Sequence, residues 1–171
     1  MDRRRFIRTA AAVPLATAAT ATVAEAKSGK PDYLGVAEAI ITSWRRGDLE
    51  GMLTHIDDDI VWHSHVGSPP LMGKPAMREF ATKLMGAMKD VRWRVFASAQ
   101  HDDRLYLEGV DDFVTTEGRR VVLPYLGVLV FRGMKVSEWR DYFDRGLFDR
   151  LKAGEPLPDY LKPLTERKAL F

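Results

Sequence analysis

The sequence predicts a single α+β domain in which helices cover the concave side of a curved antiparallel sheet. Two observations carry that prediction. Apolar residues recur at helical spacing in the first half of the chain and switch to period two after Asp90. The order of elements is helix, helix, strand, helix and then four strands in succession, which is an α+β rather than a βαβ arrangement. The length left after a leader is set aside, about 145 residues, is enough for one sizeable core.

The leader is residues 1–26. Met1-Asp2-Arg3-Arg4-Arg5-Phe6-Ile7-Arg8 is a basic run with two apolar residues before its last arginine, and it resembles the twin-arginine motif of the Tat pathway. Residues 9–24 are mostly Ala, Thr and Val, broken by Pro14, and too weakly apolar to span a membrane. Ala24-Glu25-Ala26 supplies the small-x-small cleavage pattern, so the mature chain is expected to start at Lys27. The reading implies the Tat translocon as a transient partner and a periplasmic or extracellular destination. The alternative is a basic amphipathic or disordered tail.

Residues 27–32 read as a linker ending in a helix cap. From Tyr33 to Trp44, Leu34, Ala37, Ile40, Ile41 and Trp44 fall on one helical face, and Gly47 ends the helix. Asp48 caps a second, short helix through Leu49, Met52, Leu53 and Ile56. Asp57-Asp58-Asp59 breaks the pattern, and Ile60 to Ser64 reads as a strand. After the Gly67-Ser68-Pro69-Pro70 loop, helical spacing resumes from Met77 to Met88. Val91, Trp93, Val95 and Ala97 then alternate with Arg92, Arg94 and Phe96, and strands follow over about 105–115, 120–131 and 135–144. Glu117-Gly118 and Arg132-Gly133 mark the turns. The domain is assigned to residues 33–153. The tail 154–171, with Pro156, Pro158 and Pro163, is expected to wrap the surface.

Composition excludes several classes. The chain has 26 basic and 24 acidic residues; the leader holds four arginines with Asp2 and Glu25, so the mature chain carries 22 of each. No basic face points to nucleic acid. Zero cysteines exclude disulfides and thiolate chemistry. No cofactor motif appears, and no cofactor is expected. His63 and His65, two apart, are the one pairing that suggests metal. With four histidines and no fixed carboxylate beside them, no metal site is expected.

Two aspartates stand inside strands, where the residue is disfavoured. Asp111 shares a face with Gly109 and Phe113, and Asp141 with Trp139 and Phe143. Carboxyls among such neighbours are desolvated, which raises their pKa and suits them to acid–base work. Equally, both are compatible with structural aspartates satisfied by backbone or arginine, or facing solvent.

The run Trp139-Arg140-Asp141-Tyr142-Phe143-Asp144, with Leu126-Gly127-Val128, Glu108-x-Val110-Asp111 and Pro69-Pro70-x-x-Gly73, resembles limonene-1,2-epoxide hydrolase and its relatives among SnoaL-like, nuclear-transport-factor-2-like proteins. The likeness covers residues 33–150. It implies a cone-shaped domain, a deep apolar cavity for a small hydrophobic molecule, and a homodimer. It also implies Asp141 as the base that activates water and Asp111 as the acid. The family carries an arginine two residues before the acid; here that position is Gly109, which leaves a hole expected at the cavity centre, with His65 the nearest cation to fill it. The family's water-holding tyrosine and asparagine fall on Val61-Trp62-His63-Ser64-His65, as Trp62 and Ser64 in one register and His63 and His65 in the other. Trp62, Ser64 and His65 are taken as substrate-binding residues. Three functions remain open: epoxide hydrolysis, a cyclase- or isomerase-like proton transfer, and binding without catalysis.

Overall fold

A computed structural model describes residues 29–171, so the leader with its arginine motif and cleavage pattern lies outside the described residues. Helix α1 (Tyr33–Arg45) starts where the Asp32 carboxylate accepts from the Gly35 backbone N–H at 2.8 Å. Its Val36, Ala37, Ile40, Ile41 and Trp44 are buried, and each large aliphatic side chain so buried contributes about 1.5–3 kcal/mol. Asp48 caps α2 (Leu49–Leu53) in the same way through Gly51. Helix α3 spans Gly73–Gly86, four residues ahead of its expected start, because Gly73 at φ 81° lets the chain turn into it.

Seven strands make one sheet: β1 (Ile56–His63), β2 (Leu71–Met72), β3 (Met88–Lys89), β4 (Arg94–His101), β5 (Arg104–Thr115), β6 (Arg120–Arg132) and β7 (Lys135–Phe143). Their order is β2-β1-β7-β6-β5-β3, with β4 also paired to β5. The sheet is mixed rather than antiparallel throughout, because β1 runs parallel to β7, pairing Trp62 with Trp139. Strand β1 also begins earlier than expected. Asp57, Asp58 and Asp59 belong to it, since Ile56 and Ile60 anchor the strand and the acids point outward, Asp57 to Arg132 and Asp58 to Lys74. A register shift between Val95 and Ala97 ends the simple alternation of β4 and turns Phe96 inward to a second core.

The main core lies between α1–α3 and the sheet, joining Ile40, Ile41, Met52, Met77 and Ala81 to Trp62, Leu107, Leu129 and Trp139. At the end nearest the β5–β6 turn, a second cluster gathers Val110, Phe113, Val121 and Leu123 with Leu147 and Leu151 of α4 (Arg145–Ala153). Helix α4 falls between the expected last strand and the tail. Asp144, expected to end the strand, is its cap and accepts from Leu147 N–H at 3.0 Å. The tail forms a 3-10 turn (Asp159–Thr165), buries Leu161, and ends by pairing Leu170 and Phe171 with Val95. No described helix is long and apolar enough to cross a membrane.

Candidate active site

The curled sheet and its helices leave a cavity of about 310 Å³. All four tryptophans of the chain line it, Trp44, Trp62, Trp93 and Trp139, together with Phe80, Phe113, Phe143 and Phe148. The aromatic wall follows from strand parity. Trp139 and Asp141 alternate inward on β7, Leu123, Tyr125 and Gly127 on β6, and Gly109, Asp111 and Phe113 on β5. A larger hollow of about 600 Å³ beside α3 is shallow, and its Asp58, Lys74, Glu79 and Lys83 are already matched in ion pairs.

Asp111, Asp141, Trp62, Ser64 and His65 all line the cavity, and His63 does not. The strand ends at His63, which pairs with Arg140, so His63 and His65 do not share a strand face as the metal reading needed. Of the two registers for the first strand, the one built on Trp62 and Ser64 puts both residues on the cavity. His65 packs its ring on Phe143, centroids 4.7 Å apart.

Asp141 sits between two indoles. Trp139 Nε1 donates to one carboxyl oxygen at 2.9 Å and Trp62 Nε1 approaches the other at 3.5 Å. Gly127 lies directly across on β6, where a Cβ would be in van der Waals contact with this carboxyl, 3.5 Å from its oxygen. The Asp111 carboxyl accepts no hydrogen bond from the described residues, and its neighbour Asp112 turns to the other face, where Arg120 grips it through two bonds of 2.9 and 2.8 Å. Both cavity aspartates keep some exposed surface, facing the cavity they line. Burial pushes each carboxyl up to about 7, helped for Asp111 by the charge of Asp112 and opposed for Asp141 by its two indole donors. A negative charge on Asp111 would raise Asp141 further.

The hole expected at Gly109 does not exist. Gly109 pairs with Tyr125, and a Cβ on it would stand 2.7 Å from the Tyr125 hydroxyl and 2.2 Å from the Arg94 carbonyl oxygen. The tyrosine ring fills the space, so His65 is not needed as a replacement cation. On β6, Tyr125 lies between Leu123, which faces Asp111, and Gly127, which faces Asp141. The phenol therefore stands between the carboxyls, and burial, with the charge of Asp111, holds its pKa above the ordinary value. Tyr125, Trp93, Phe80 and Arg145 are cavity residues that sequence reasoning did not single out. An inward aromatic opposite a strand glycine was the available signal for Tyr125.

Fold and cavity together define an α+β cone enclosing a hydrophobic, acid-bearing chamber. The chain belongs to the SnoaL-like domain family, whose pattern matches residues 37–139. No curated protein matches it. Among solved structures, TerC co-crystallized with polyporic acid is similar at 21% identity and a TM-score of 0.63, over 70% of this chain and 96% of that one. An LEH-like epoxide hydrolase of M. tuberculosis is similar at 20% identity and a TM-score of 0.63, over 71% and 90%. A putative SnoaL-like polyketide cyclase from Shewanella denitrificans reaches a TM-score of 0.64 at 13% identity, over 72% and 99%. At these identities the likeness is one of fold.

Proposed function

We propose that the cavity is the active site of an acid–base enzyme acting on a small, largely apolar molecule, with Asp141 as base and Asp111 as acid. The observation that carries the reading is the unequal surroundings of the two carboxyls. Two indole N–H groups favour the charged form of Asp141, while the Asp111 carboxyl has no donor among the described residues and has Asp112 beside it; on this hydrogen bonding we assign the proton to Asp111. The indoles thus take over the ordering that a cation between the carboxyls would provide.

For an epoxide, Asp141 accepts a proton from water as the water oxygen bonds to carbon. The ring C–O bond breaks, and the oxygen takes the proton of Asp111, giving a diol. The test is diol formation from limonene 1,2-epoxide by the purified protein, abolished in Asp141→Asn; no turnover across a panel of epoxides rejects this chemistry. A second reading, a cyclase- or isomerase-like proton transfer without water, is favoured by Trp62 and Ser64 standing where a water-holding tyrosine and asparagine would be needed. If Asp141→Asn leaves ligand affinity and any biological effect unchanged, the domain binds without catalysing.

Export and pairing complete the proposal. The Arg3-Arg4-Arg5 leader supports Tat export to the periplasm, and a precursor with lysines at these positions should stay in the cytoplasm. Leu126 and Tyr142, paired across β6 and β7 and 43% and 41% exposed, support a homodimer through the outer face of the sheet. A monomeric mass in light scattering refutes it.

A further inference from the structure

Three buried side-chain polar atoms among the described residues lack a hydrogen-bond partner: the Tyr125 hydroxyl, Trp93 Nε1 and Arg94 Nε. The first two belong to rings that line the cavity and pack edge to face, centroids 5.8 Å apart. Leaving a buried donor unmatched carries a desolvation cost, and in a native protein such a group calls for an explanation. The two orphans are also close to each other. The indole N–H points toward the phenol oxygen closely enough to lower the phenol's pKa as a hydrogen-bond donor, without reaching full hydrogen-bond geometry. Both rings are held firmly. Tyr125 rests on Gly109, and the Arg45 guanidinium binds the Trp93 backbone carbonyl, its Nε at 2.8 Å.

We propose that Tyr125 Oη–H and Trp93 Nε1–H form a two-donor seat for a single uncharged oxygen of the ligand, such as a ketone, ether or epoxide oxygen. The proposal rests on the reading of the cavity as a ligand site and deepens it by naming the substrate class: an apolar body with one acceptor oxygen. An anionic oxygen is disfavoured, because Asp111 and Asp141 flank the same phenol. The seat makes Tyr125 a positioning and specificity residue. It sets the oxygen between Asp111 and Asp141.

The experiment uses two probes of the same shape, cyclooctanone and methylenecyclooctane, which differ in an oxygen against a CH2. Binding is followed by tryptophan fluorescence, since every tryptophan lines the cavity. Tyr125→Phe should weaken cyclooctanone about tenfold, the factor that about 1.4 kcal/mol for one hydrogen bond represents, and leave methylenecyclooctane unchanged. Unchanged alkene binding also shows that the variant is folded. Equal losses for both probes, or no loss for either, overturn the seat while leaving the cavity reading intact. Failure of both probes to bind the unaltered protein overturns the cavity reading and the seat with it.

Discussion

Replacing Asp111 by Asn tests the electrostatics of the site without any knowledge of substrate. The folded carboxyl sits at about 7 against 3.8 for the ordinary group, because burial and Asp112 both oppose its charge. The sign follows from the raised value. Its contribution to stability is fully present below about pH 4, where the group is protonated in both states, and is lost as pH rises through about 7. A shift of about 3 units at 1.36 kcal/mol each sets a ceiling of about 4 kcal/mol. The side chain faces a cavity that water enters, which reduces the expected effect to about 2 kcal/mol. The assay is urea unfolding at pH 4, 6 and 8. Asp111→Asn should match the unaltered protein at pH 4 and exceed it at pH 8 by about 1 M in midpoint, for a slope of about 2 kcal/mol/M. A variant that is less stable at pH 8, or a difference that does not change with pH, would refute the reasoning: Asp111 would then be a satisfied carboxylate rather than a buried acid.

Other perturbations probe neighbouring parts of the same argument. Trp139→Phe removes the 2.9 Å donor to Asp141, so that carboxyl should titrate higher still, seen as an upward shift in its side-chain carbon NMR pH curve. Arg120→Ala leaves the buried Asp112 without its fork and should cost about 2–3 kcal/mol in urea unfolding at pH 7. Gly109→Arg should lower the melting temperature sharply and add no epoxide-opening activity to that of the unaltered protein, because its Cβ meets a backbone oxygen as well as a ring.

Sequence reasoning reaches as far as patterns within one element do. Ile40, Ile41 and Trp44 reveal α1, and two acids at inward positions of strands reveal Asp111 and Asp141, because both depend only on period. What depends on pairing between strands stays hidden. The parallel contact of β1 with β7 leaves no mark in either strand. Gly109 reads as a hole from β5 alone, and only the register with β6 shows that Tyr125 occupies it. Tyr125 itself looks like any inward aromatic until its unmatched hydroxyl is visible. Helix α4 was hidden because Asp144 reads as the end of a strand, although it is the cap of a helix whose Leu147 and Leu151 seal the second core.

The contact of Gly109 with Tyr125 also constrains how the site can change over generations. A side chain at Gly109 meets the tyrosine ring and the Arg94 carbonyl at once. A lineage cannot therefore place an arginine there by one substitution, nor by trimming Tyr125 alone, since the Arg94 carbonyl would still stand in the way. Each intermediate would pass through a less stable domain. The glycine and the tyrosine are sterically tied to each other, and any change in the acid pair has to accommodate both.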